Sequence, residues 1–351
     1  MPAALADMSR RVSALVALSV ALAAAAGAAP APSPVTPELI AAAEKEGKVV
    51  FYNVLDLEVA EGVGRAFEAK YPGIKPQIER SGSERMLQRV AQEYASNIHL
   101  VGVIESVDIA HPLYWKRQGW LSAYVPEGAA RLPAEARDAD GFYAVDRATL
   151  CIMAYNTRQV APDQAPKSYL DLLDPKWQGK IVKASPAYSG NILTATFDLS
   201  RALGWDYFQK LGRQRVMQVQ SATEPPKKVA LGERPIMFDG SEYVALRAKA
   251  RGAPLAVVYP SEGTPLIVGS AAVMKDAPHP NAARLFINFL FSREGQQFLV
   301  DTGQQRSLNP DVEEPADRVP LSKIKVLTTD PEEQEKAMEE VKRKYAEYFG
   351  T

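Results

Sequence analysis

The feature that most constrains this chain is an alternation of short apolar runs with amphipathic stretches, in which the apolar runs end in polar clusters. Residues 48–54 read Lys-Val-Val-Phe-Tyr-Asn-Val, with Val49 to Tyr52 uninterrupted and Asn53 at the tip. A continuous apolar run of this length reads as a strand buried on both faces. Residues 58–70 follow with Val59, Val63, Ala66 and Phe67 at helical spacing. A second strand is expected at 74–79, then a helix carrying Met86, Leu87, Val90 and Tyr94. Strand and helix thus alternate twice before residue 100, which predicts an α/β fold with a mostly parallel sheet. Further strands are expected at 101–104, 142–145, 150–155, 181–184, 216–219, 236–238, 255–259 and 266–273, and a long helix at 282–299. The pattern persists on both sides of residue 150, which predicts two similar lobes, with the chain after Tyr259 returning to the first.

The 351 residues are enough for two domains, and 46% hydrophobic with 24% charged residues is an ordinary globular balance. A net charge of -1 without a long basic run argues against nucleic acid as a partner. The amino terminus differs: Arg10 and Arg11 precede an apolar run at 12–26, and Ala26-Gly27-Ala28 offers a small-x-small cleavage pattern. Residues 1–29 are therefore expected to be a cleavable secretory signal peptide, which places the mature protein in the periplasm. The single cysteine, Cys151, lies in an apolar run and is expected to be a buried core residue.

No G-x-S-x-G, H-E-x-x-H or G-x-x-x-x-G-K-[ST] pattern is present, and His99, His111 and His279 show no ligand spacing. What recurs is a polar group where a strand gives way to a helix: Asn53; Ser81-Gly82-Ser83; Ser189-Gly190-Asn191; Ser221-Ala222-Thr223; and residues 239–243 with Glu242 and Tyr243. Helix starts offer free backbone N–H groups and a partial positive charge, so they receive anions. One such cluster alone is an N-cap. Five in an exported α/β protein predict a shared cleft at the carboxyl ends of the strands. Ligand-binding residues are expected to be Asn53, Ser81, Ser83, Ser189, Gly190, Asn191, Ser221, Glu242, Tyr243 and Thr264, with Tyr188 and Arg147 in second rank. A secreted hydrolase or transferase is the competing class, but no histidine accompanies any cluster to serve as a base.

The run Tyr169-Leu-Asp-Leu-Leu-Asp-Pro-Lys-Trp-Gln-Gly-Lys-Ile resembles a motif of periplasmic ABC-transporter solute-binding proteins, with the ferric-ion-binding branch closest. Gly47-Lys-Val-Val-Phe-Tyr, Ser81-Gly-Ser-Glu, Ala154-Tyr-Asn-Thr, the segment from Ala282 through Ser292-Arg-Glu-Gly to Phe298, and Gly303 to Arg306 agree with it. The resemblance implies a type 2 periplasmic binding protein fold with two lobes, each a mostly parallel sheet flanked by helices, joined by hinge strands. The organisation expected is a linker and first helix at 30–47, a first lobe at 48–145 plus 262–310, a second at 146–261, and a C-terminal helical extension at 311–351. It also implies a monomer that captures a small ligand and delivers it to an inner-membrane ABC permease, with no catalysis and no resident cofactor. In the iron-binding branch a consecutive tyrosine pair ligates the metal; here Glu242 stands at the first of these positions and Tyr243 at the second. The resemblance thus implies ferric iron with an anion as cargo, held by Glu242 and Tyr243. A small organic anion, a carboxylate or phosphorylated compound, stands beside it.

Overall fold

The structure, a computed structural model, describes residues 30–350; the expected signal peptide lies outside the described residues. The first helix, α1 (Pro37–Glu46), starts at Thr36, whose Oγ1 accepts from the Leu39 N–H at 3.2 Å, and stops at Gly47 with φ 67°. Glycine takes that left-handed position without a Cβ penalty. There follow β1 (Lys48–Asn53), α2 (Leu57–Lys70), β2 (Lys75–Arg80), α3 (Ser83–Ala95), β3 (Val103–Ser106) and α4 (Ala110–Arg117). After a long loop come β4 (Ala144–Leu150), β5 (Met153–Asn156), β6 (Ile181–Ala184), α5 (Gly190–Leu203), α6 (Trp205–Gly212), β7 (Met217–Val219), α7 (Glu224–Ala230), β8 (Ile236–Met237), α8 (Glu242–Ala250) and β9 (Leu255–Val258). The chain ends with β10 (Thr264–Val273), α9 (Pro280–Phe291), α10 (Arg293–Asp301), β11 (Val326–Leu327) and α11 (Pro331–Phe349).

The strands form two sheets, one per lobe. The first has the order β11-β10-β3-β1-β2, with β4 also on β10, and the second β7-β6-β8-β5-β9. β1 runs parallel to β2 and β3, whereas β10 is antiparallel to β3 and β4. In the second sheet β6 is parallel to β7 and β8, and β5 is antiparallel to β8 and β9. In both sheets the reversed strands adjoin the crossings between lobes. β4 stays in the first sheet along its whole length, because Leu266 to Ala271 of β10 pair with it from Leu150 back to Ala144. The first crossing therefore lies between β4 and β5, later than the boundary expected at residue 146. The second lies between β9 and β10.

Each lobe has an aromatic centre. Phe67 packs edge-on against Phe286 at 5.0 Å and Phe289 at 5.6 Å in the first, and Tyr169 and Phe208 pack around Phe238 in the second. Tilted and edge-on ring pairs of this kind add about 0.5–1.5 kcal/mol to the burial itself.

The helix expected at 282–299 is two helices. Ser292 breaks it: its backbone is extended and its Oγ accepts from the Gly295 N–H at 3.1 Å, which starts α10. A Cβ on Gly295 would fall 2.1 Å from the Phe289 carbonyl oxygen, so the tight turn requires glycine. The charged terminal helix also does more than present a solvated face. α11 buries Gln334, Val341 and Tyr345 and touches both lobes. Lys342 pairs with Glu84 of α3 at 2.9 Å, and the Tyr345 hydroxyl donates to Gln218 Oε1 of β7 at 2.8 Å.

Candidate ligand site

A cleft enclosing a cavity of about 100 Å³ opens where the two lobes face each other. That is smaller than a drug-sized site of about 300–1,000 Å³ and leaves room for a small solute only. The first lobe contributes Val54 after β1, Arg80 to Ser83 and Arg85 after β2, Val107 after β3, and Arg147 from β4. The second contributes Tyr188, Ser189 and Asn191 at the start of α5, Gln220 to Glu224 after β7, and Ser241 and Tyr243 at the start of α8. Three helices begin at this wall. The N-cap positions of α3, α5 and α8 (Gly82, Ser189 and Ser241) make no side-chain cap hydrogen bond, so their leading N–H groups are not occupied by a cap. α3 and α5 approach each other closely: a Cβ on Gly190 would lie 2.6 Å from the Asp108 Cβ and 2.9 Å from the Ser83 Oγ.

Three guanidinium groups add full positive charge. Arg80 and Arg85 are exposed and span the gap between lobes: Arg80 Nη2 donates to Ser221 Oγ at 3.2 Å, and Arg85 Nη2 donates to Gln220 Oε1. Arg147 is buried; its Nη2 donates to Glu105 Oε1 at 2.6 Å, and its Nε has no partner. The wall also holds one carboxylate, Glu224, whose Oε1 accepts from the Ser221 N–H at 2.8 Å. Guanidinium groups with uncapped helix starts form a receptor for negative charge.

Of the residues expected from sequence, Ser81, Ser83, Ser189, Asn191, Ser221 and Tyr243 line the cavity, as do Tyr188 and Arg147. Gly190 sits behind them as the first residue of α5. Asn53, Glu242 and Thr264 are elsewhere. The Asn53 amide is used locally: Oδ1 accepts from the Leu55 N–H at 3.2 Å and Nδ2 donates to the Glu79 carbonyl at 3.3 Å. Thr264 is covered by the strand beside it, its N–H donating to the Lys325 carbonyl at 2.8 Å. Glu242, expected at the ligand and as a metal donor, is fully buried against Arg306. Arg306 Nε reaches its Oε2 and Nη2 its Oε1, both at 2.8 Å, and the Tyr259 hydroxyl donates to Oε1 at 2.7 Å. Ser241, the extended N-cap residue, and Tyr243 line the cavity, whereas the Glu242 side chain between them turns to Arg306. The Tyr243 hydroxyl accepts from the Asp56 N–H at 3.0 Å, and burial pushes its ionisation up to about 12.

Arg80 and Arg85 escaped sequence reasoning, although a local signal exists. Arg85 stands in the first turn of α3, where the helix dipole disfavours a cation. A local rule broken at the mouth of a polar cluster marks a functional position.

Beneath Arg147 lies a second carboxylate. Both oxygens of the buried Asp146 lack hydrogen-bond partners; burial first, then the charge of Glu105, pushes its ionisation up to about 8. Gly269 makes room for the pair, since a Cβ there would lie 2.7 Å from Glu105 Oε1 and 3.0 Å from Asp146 Oδ1. Below that pH the folded protein holds a proton that the unfolded chain releases at about pH 4. Folding thus takes up a proton across this window, and the contribution to stability is lost as pH rises from about 4 towards 8. Asp146→Asn is expected to flatten the trend: thermal melts from pH 5 to pH 8 will show a melting-temperature difference, variant minus parent, that grows with pH. A difference independent of pH would refute the assignment.

Residues 113–325 match the family of bacterial extracellular solute-binding proteins, a span of more than half the chain. This chain belongs to that family. A probable ABC transporter periplasmic-binding protein of Sinorhizobium fredii is 26% identical over 65% of this chain and 65% of its own. The major ferric iron-binding protein of Neisseria gonorrhoeae is 22% identical, covering 82% of this chain and 88% of its own. Among solved structures, the periplasmic binding protein AfuA of Actinobacillus pleuropneumoniae, with exogenous fructose-6-phosphate bound, superposes with a TM-score of 0.79 at 24% identity, over 87% of this chain and 99% of that one. The solute-binding protein described here has the type 2 periplasmic binding fold. Its role is that of the binding component of an ABC transporter, with a small ligand and a membrane permease as partners.

Proposed function

We propose that this solute-binding protein captures a small organic anion, a carboxylate or a phosphorylated compound, and delivers it to its permease. In this reading it is exported by the signal peptide at residues 1–29 and works as a periplasmic monomer without catalysis. The observation that carries the proposal is the convergence of Arg80, Arg85 and Arg147 with the uncapped starts of α3, α5 and α8 on one cavity. Groups from both lobes meet there, so ligand contacts complete themselves only when the lobes close, which is what drives a hinge. The bound fructose-6-phosphate of the similar AfuA structure supports the same class of ligand.

Ferric iron held with an anion is the second reading. Tyr243 at the cavity wall and the iron-binding name of the Neisseria relative favour it. The engagement of Glu242 with Arg306 weighs against it, because of the two donors expected for the metal only the Tyr243 phenol reaches the cavity. Native mass spectrometry of the protein recovered from its own periplasm separates the two. A colourless organic adduct is expected. An iron increment with a visible phenolate-to-iron absorption would overturn the organic-anion proposal.

A further inference from the structure

Behind the cavity wall, three side chains outside its lining converge under α11. Glu84 comes from the first turn of α3, Asp108 from the loop between β3 and α4, and His111 from the first turn of α4. His111 Nε2 lies 3.5 Å from Glu84 Oε1 and 3.5 Å from Asp108 Oδ2. All three atoms are buried and lack a hydrogen-bond partner, and they lie within 4.8 Å of one another. Asp108 and His111 are at most 1% exposed.

We propose that Glu84, Asp108 and His111 form a binding site for a divalent transition-metal ion, best suited to zinc. The spacing is the first argument. Ligand atoms about 2.1 Å from a tetrahedral zinc are separated by about 3.4 Å. The two distances from His111 match that edge. An imidazolium paired with a carboxylate would instead draw one oxygen to about 2.7–2.9 Å. Here Nε2 stands equally far from two carboxylates and bonds neither. The second argument is the outer contacts. His111 Nδ1 is 3.0 Å from Ser106 Oγ, which itself accepts from the Asp108 N–H at 3.1 Å. With the Nδ1–H donated to Ser106, Nε2 presents its lone pair to the gap. The free oxygens are equally prepared: Asp108 Oδ1 accepts from the Ala110 N–H and Gln334 Nε2, and Glu84 Oε2 accepts from Lys342, so each carboxylate keeps one oxygen for the ion. One imidazole and two carboxylates suit zinc and its first-row neighbours better than calcium or magnesium, which prefer oxygen ligands alone. Gln334 Oε1, buried and unpartnered, is a further oxygen brought by α11. The ion would tie α3 to α4 beneath α11 and be separate from any cargo. It departs from the expectation of no resident cofactor.

The test uses the full mature protein, stripped with chelator and dialysed. Titration with Zn²⁺ by calorimetry is expected to give one site, and a thermal melt is expected to move upward with added zinc. Co²⁺ is expected to produce the visible absorption of a tetrahedral ion. His111→Gln and Glu84→Gln, which remove direct ligands, should each weaken binding by at least the roughly 10- to 100-fold that loss of an outer-shell partner costs, while His99→Gln should bind as the parent does. Equal zinc affinity in parent and His111→Gln would overturn the proposal. So would parent protein that takes up neither Zn²⁺ nor Co²⁺, an outcome that does not depend on the variants folding.

Discussion

Arg306→Met will destabilise the protein by about 3–5 kcal/mol, the typical result of leaving one member of a buried ion pair alone. The pair joins α8 of the second lobe to the chain after α10, with Glu242 fully buried and Arg306 2% exposed. The guanidinium also donates to the Val319 carbonyl at 3.0 Å, and the backbone N–H and carbonyl of Arg306 exchange hydrogen bonds with Ala148 of β4. The substitution keeps much of the volume and removes the charge, so the loss reports the orphaned carboxylate. Adding Glu242→Gln to the same variant should restore a large part of it. Denaturant unfolding of the four members of this cycle measures the coupling. A single variant within 1 kcal/mol of the parent, a bound set against the expected effect, would show that the pair is not held as described.

Arg80→Gln and Arg85→Gln are expected to act on binding and leave stability nearly unchanged, because both side chains are exposed at the cavity mouth. A hydrogen bond to a charged group contributes about 1.5–3 kcal/mol, so each variant should lose roughly 10- to 100-fold in affinity for the solute recovered with the protein. The salt dependence of binding should fall in parallel, as fewer charges remain to be screened. Calorimetric titration at two ionic strengths measures both effects. Arg131→Gln, whose side chain pairs with Asp311 outside the cavity, serves as control. Unchanged affinity in the double variant would remove these arginines from the site.

The alternation of strands and helices was legible because each strand tip carries its own local chemistry. Ser81 and Ser83, Ser189 and Asn191 all sit where an apolar run ends and a helix begins, and topology brings such places together. The failures are residues whose partners are distant in sequence. Glu242 meets Arg306 across 64 residues, and the strand beside Thr264 is formed at Val326–Leu327. Asn53 failed because its amide is already engaged: Oδ1 takes the Leu55 N–H two residues on, and Nδ2 reaches the Glu79 carbonyl on the adjacent strand β2. The break at Ser292 was legible in principle, since serine three residues before a glycine can cap a new helix, but the apolar period ran through it unchanged.

α11 changes what ligand affinity measures in this receptor. A helix fastened to Glu84 on one lobe and to Gln218 on the other favours whichever lobe arrangement keeps both contacts, as the one seen here does. Apparent affinity is the intrinsic affinity scaled by the fraction of molecules already competent to bind. Every contact α11 makes across the lobes therefore enters the dissociation constant, although none of its residues lines the cavity.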